Sequence, residues 1–81
     1  QIYYSNEVSK AQLALTFHLP EKEDVRLQIF TTMGQVVADN ILPDVLNQTY
    51  YFDLANQASG IYLFRLQIDN QVSTTKVFIG Q

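Results

Sequence analysis

The sequence predicts an all-β chain folded as an antiparallel sandwich of six to seven short strands. Apolar and polar residues alternate with a period of two in several segments, the spacing that sends successive side chains to opposite faces of a strand. Turn-forming residues recur between these segments at roughly ten-residue intervals, as in sandwiches, and no segment carries helical spacing. Composition agrees, because five tyrosines and five phenylalanines join many Val, Ile and Thr residues, the types that suit strands. A small closed barrel is the lesser alternative.

Taken in order, Ile2-Tyr3-Tyr4 is a short candidate strand with little pattern behind it. From Gln12 to Leu19 the alternation is clean, with Leu13, Leu15, Phe17 and Leu19 on one side and Gln12, Ala14, Thr16 and His18 on the other. Pro20, with its fixed φ, and the solvated run Glu21-Lys22-Glu23-Asp24 end that strand. Val25, Leu27 and Ile29 then alternate with Arg26, Gln28 and Phe30. Thr31-Thr32-Met33-Gly34 reads as a tight turn whose glycine can take a positive φ, and Gln35-Val36-Val37-Ala38 returns as the hairpin partner. Asp39-Asn40 and Pro43-Asp44 are expected to punctuate the connection that follows.

Tyr50, Phe52 and Leu54 alternate with Tyr51 and Asp53, giving a strand that ends in the polar turn from Ala55 to Gly60. In the last hairpin Tyr62, Phe64, Leu66 and Ile68 share a side opposite Arg65 and Gln67. Asp69-Asn70-Gln71 forms its turn, and Val72 to Ile79 runs back with Val77 and Ile79 inward. No internal repeat, low-complexity tract or linker interrupts the 81 residues, so a single domain over 1–81 is expected. A globule this small has a thin core, and without cysteine it must be held by sheet packing.

Charge narrows the partners. Eight acidic and five basic residues give a net charge of −3, so there is no basic face of the kind that nucleic acid or anionic lipid requires. Cysteine usage leaves the redox compartment open. No apolar run is long enough to span a bilayer, and the first residues lack the basic and apolar regions of a signal peptide. If the domain is exported, its export signal is expected upstream on a longer parent.

Evident catalytic chemistry is lacking. The one histidine, His18, falls on the polar side of its strand. Glu21, Glu23 and Asp24 could offer oxygen ligands to calcium but have the spacing of a solvated turn. No G-x-S-x-G elbow or phosphate-cradling glycine loop occurs, since Gly34, Gly60 and Gly80 are isolated. Asn47-Gln48-Thr49 fits the glycosylation sequon. Tyr3-Tyr4 and Tyr50-Tyr51 could present aromatic faces to a sugar or partner, although neighbours on a strand point oppositely, so one of each pair is expected in the core. No cofactor is expected.

The segment Ala58-Ser59-Gly60-Ile61-Tyr62-Leu63-Phe64-Arg65 resembles the C-terminal sorting domain of cargo proteins of the type IX (Por) secretion system of Bacteroidota. Val25-Arg26-Leu27-Gln28-Ile29-Phe30 with the Gly34 turn and Gln35-Val36-Val37 is similar to that family's strand, glycine turn and return strand. Phe52-Asp53-Leu54 and the terminal Lys76-Val77-Phe78-Ile79 fall in its order, so the resemblance runs from about Ser5 to Ile79. Tyr4-Ser5-Asn6-Glu7-Val8 stands where the family often has a proline–asparagine–proline signature, and Gly80-Gln81 where it often has a basic end.

The resemblance implies an immunoglobulin-like β-sandwich and a non-enzymatic sorting signal, carried through the periplasm and recognised by the outer-membrane translocon. It also implies a cell-surface sortase that removes the domain and joins the parent to anionic lipopolysaccharide, or a retained domain that docks on the surface. Partner recognition is then expected at Gly34, Gly60, Ile61, Tyr62, Lys76, Val77, Phe78 and Ile79, with the final hairpin offering an edge for strand addition. From a different class, an accessory carbohydrate- or protein-binding sandwich of a surface protein would use exposed tyrosines.

Overall fold

Alternation and turn chemistry produce seven strands and no helix in the computed structural model, which describes residues 1–81. The strands are β1 (Tyr4–Ser9), β2 (Gln12–Phe17), β3 (Glu23–Thr31), β4 (Val36–Val45), β5 (Thr49–Asp53), β6 (Gly60–Ile68) and β7 (Gln71–Ile79). They pair antiparallel into a three-stranded sheet, β1-β2-β5, and a four-stranded sheet, β4-β3-β6-β7. The chain changes sheet between β2 and β3, between β4 and β5, and between β5 and β6. This is the immunoglobulin-like arrangement that the resemblance implied.

The alternating residues meet where the pattern puts them. Leu13, Leu15 and Phe17 from one sheet, and Val25, Leu27, Ile29, Phe64, Leu66 and Ile79 from the other, are almost wholly removed from water. No polar or charged residue is buried with them, so the centre carries no desolvation cost to offset. Tyr4 and Tyr50 are half-buried at its margin. Tyr4 stands edge-on to Phe64 of the facing sheet, centroids 6.0 Å apart, and Tyr50 edge-on to Phe17 at 5.9 Å, the geometry that the ring quadrupole favours. As expected, each tyrosine pair divides: Tyr3 and Tyr51 point to solvent, 54% and 65% exposed.

Two local expectations are corrected. The first strand is Tyr4–Ser9, not Ile2 to Tyr4. Only Tyr4 and Val8 of it pack on the core, and an edge strand tolerates the polar Ser5, Asn6 and Glu7 between them. Asp39-Asn40 and Pro43-Asp44 do not break the chain but lie within β4. That strand is the sheet's edge, where a proline's missing donor faces outward, and the register shifts between Glu23 and Val25 opposite it. Asp44 takes φ 51° in this bulge, and its backbone N–H donates to the Asp24 carboxylate at 3.1 Å. Beyond these corrections, β1 and β2 form a hairpin through Lys10 and Ala11, where Ser9 pairs with Gln12 and Lys10 carries φ 55° without being a glycine. Two backbone hydrogen bonds hold that turn from outside, from Gly80 to the Lys10 carbonyl and from Leu54 to that of Ala11.

Candidate functional site

The register gathers the sequence-expected recognition residues at one end of the four-stranded sheet. Thr31 of β3 faces Tyr62 of β6, Tyr62 faces Val77 of β7, and Gly60 faces Ile79. The turn carrying Gly34 leaves β3 just past Thr31, so the Gly34 turn, the start of β6 and the end of β7 share this end.

Within the group, pleat divides the side chains between two tasks. Tyr62, Val77 and Ile79 point inward and are buried, so they build the sandwich. Ile61, Phe78 and Lys76 point outward and are exposed; Ile61 and Phe78 are cross-strand partners, 46% and 65% exposed. The next row along the outer face is Val36, Phe30, Leu63 and Lys76 across β4-β3-β6-β7. Phe30 and Leu63 are half-buried, Val36 is exposed, and Met33 in the adjoining turn is the most exposed apolar side chain of all. Together they form an apolar patch whose charged member is Lys76. A cluster of this kind, rimmed by polar groups, marks an interaction surface more often than scattered apolar residues do.

Further along the same face the sheet becomes polar. Arg26 grips Asp39 through two hydrogen bonds, of 3.0 and 2.8 Å, Gln28 donates to the same carboxylate at 3.3 Å, and Arg65 donates to the Gln28 side-chain oxygen at 3.2 Å. The guanidinium hydrogen bonds and charge hold the Asp39 carboxyl below its ordinary range, and the carboxylate raises Arg26 in return. At the far end Glu23 is pushed up, first by partial desolvation and then by the like charges of Asp69, Glu21 and Asp24. The four-stranded sheet is therefore apolar with a lysine at one end and acidic at the other.

The two glycines serve backbone conformation. Gly34 has φ 88° and Gly60 φ 157°, and a Cβ built on either would meet nothing within 4 Å. Neither position is a close approach between chains; each is a φ that an L side chain avoids. Tyr62 completes the local device. Its hydroxyl donates to the Ala58 carbonyl four residues upstream, which pins the β5–β6 connection onto the start of β6 as a tyrosine corner does in immunoglobulin-like sandwiches. The Gly60-Ile61-Tyr62 segment thus reads residue by residue as a φ, an outward side chain and an anchor.

His18 lies exposed at the end of β2, and no three His, Cys, Asp or Glu side chains come close enough to share a metal ion. What the sequence did not disclose is the joining of Met33, Val36, Phe30 and Leu63 to Ile61 and Phe78. That contiguity depends on which strands pair and in what register, for which alternation alone gives no signal.

Over residues 9–80 the chain matches the family described as "Secretion system C-terminal sorting domain". Among solved structures it is similar to a DUF3244 family protein from Bacteroides vulgatus with an immunoglobulin-like β-sandwich fold. The TM-score is 0.81 at 19% identity, covering 95% of this chain and 83% of that one; at that identity the likeness shows the fold alone. No curated protein matches the sequence.

Proposed function

This chain belongs to the C-terminal sorting domain family of the type IX secretion system, and from that membership we propose that it is a non-enzymatic signal taking its parent protein across the outer membrane and on to cell-surface attachment. The family implies interaction with the secretion machinery and export to the surface or the extracellular space. The match over residues 9–80 is the observation that carries the proposal. The finer steps belong to the proposal: recognition by the translocon, and processing by a sortase that leaves the parent on anionic lipopolysaccharide.

In this reading the eight recognition residues divide by role. Ile61, Lys76 and Phe78 meet the machinery, while Gly34, Gly60, Tyr62, Val77 and Ile79 shape the surface they stand on. The support is their exposure and contiguity with Met33 and Val36. A desolvated apolar patch with one cation at its edge provides area for affinity and a charge for orientation.

Export is the test. These 81 residues, fused behind a signal peptide and a reporter in a bacterium with the secretion system, should carry the reporter to the surface. Deleting Thr75 to Gln81 removes most of β7 and should leave the reporter in the periplasm. Periplasmic retention of the intact fusion would sink the proposal.

A further inference from the structure

We infer that the outer face of the three-stranded sheet holds a binding groove for an uncharged sugar ring, distinct from the sorting surface and independent of it. Along that face Glu7 of β1, Ala14 of β2 and Tyr51 of β5 form one row, and Ser5, Thr16 and Thr49 the next. Ala14 is the small member, so the row is low in the middle and high at both sides. The depression is open to solvent on one side and holds about 330 Å³, at the small end of ligand sites.

The walls specify the ligand. Glu7 and Tyr51 stand on strands two spacings apart, about 9 to 10 Å. That gap admits one pyranose ring with its C–H face against the tyrosine and its hydroxyls toward the carboxylate. The aromatic face carries partial negative charge and attracts such C–H groups. Tyr51 is 65% exposed, whereas its neighbour Tyr50 packs against Phe17, so the core has no use for the Tyr51 ring. At the adjoining row the Thr16 and Thr49 hydroxyls are hydrogen-bonded to each other at 2.9 Å, and each oxygen keeps a lone pair for a ligand hydroxyl.

Charge excludes other classes. Only Ala14 and Tyr51 among the lining residues are apolar, and Glu7 is the single charged group, with no lysine or arginine. A uronic acid, sulfated sugar or phosphate would meet a carboxylate with no cation to offset it, and an aliphatic ligand would desolvate hydroxyls without repairing them. A neutral hexose satisfies both walls. For so small a contact the dissociation constant should be on the order of a millimolar.

Amide NMR titration of the folded chain with methyl β-glucoside, methyl β-galactoside and methyl N-acetyl-β-glucosaminide, each to about 50 mM, tests the assignment. Saturable shifts for at least one of them are expected at Ser5 to Glu7, Ala14 to Thr16 and Thr49 to Tyr51, with none for glucuronate. Tyr51→Ala should weaken binding at least tenfold and Glu7→Gln several-fold, while Tyr51→Ala still exports the reporter. Both side chains are exposed, and the dispersion of each variant's spectrum reports its folding. The inference is overturned if no neutral glycoside gives saturable shifts, if the shifts centre on Ile61 and Phe78, or if both variants bind as the parent does.

Discussion

Truncating Phe78 to alanine separates recognition from stability, because its side chain is mostly outside the fold. Phe78 is 65% exposed, so about a third of its surface is withdrawn from water. A buried phenylalanine removes about 200 Å²; a third of that, at ~25 cal/mol per Å², is about 1.7 kcal/mol, and a realistic unfolded reference lowers it to about 1 to 1.5. No closed cavity forms, so no cavity cost is added. Even a domain with about 5 kcal/mol of stability would stay more than about 99% folded, since each 1.4 kcal/mol is a factor of ten.

The matched control is Ile79→Val, one residue away and wholly buried, with an expected cost of about 0.5 to 1.5 kcal/mol and no change to the outer face. Urea denaturation should place the two variants within about 1 kcal/mol of each other. Reporter display at the cell surface should then fall at least tenfold for Phe78→Ala and stay near the parent for Ile79→Val. Equal display by both variants, high or low, would refute the assignment of Phe78 to partner contact: if high, the patch is not read, and if low, stability alone decides export.

Three further outcomes follow from the geometry. Tyr62→Phe, which loses the hydrogen bond to the Ala58 carbonyl, should cost about 1 kcal/mol, and Tyr62→Ala about 3 to 5; a loss below about 1 kcal/mol for the alanine in urea would mean the ring is not packed. Lys10→Gly should stabilise the β1–β2 hairpin by about 0.5 to 1 kcal/mol, because lysine at φ 55° bears a left-handed penalty that outweighs the glycine's unfolded-state entropy; a lower denaturation midpoint would contradict this. The folded chain holds the Glu23 proton more tightly than the unfolded chain, so Glu23 costs stability as pH rises above its ordinary 4.5. Asp39, lowered from 3.8 by Arg26, stabilises above that pH and loses its contribution as pH falls through its folded value. Thermal melts should therefore show Glu23→Gln gaining on the parent from pH 4 to 7, and Asp39→Asn losing its deficit toward pH 3.

Much of the sandwich was legible because alternation is a direct record of burial. Leu13, Leu15 and Phe17, or Tyr62, Phe64 and Leu66, leave few alternatives to a strand with one dry face. Edges escaped because they bury little and need no pattern. Tyr4–Ser9 has two core contacts spread over six residues, and Pro43 and Asp44 look like a break until an outer strand and a bulge make room for them. The Lys10 turn was hidden for another reason: its left-handed residue is held by backbone partners from the distant Leu54 and Gly80, not by turn chemistry of its own. At the end of the sheet where recognition is proposed, alternation already separated Ile61 and Phe78 from Tyr62 and Ile79, but the patch that Met33 and Val36 enlarge needed the register between β3, β4 and β6.

The Tyr4 hydroxyl bonds to Ser73 and Thr75, at 3.1 and 2.8 Å, 69 and 71 residues further along the chain, and this sets a clock. The two sheets are tied along that side by groups about seventy residues apart, so the seal cannot close until β7 has joined its sheet. A fold dominated by such distant pairings crosses its barrier in milliseconds to seconds, far slower than local structure forms.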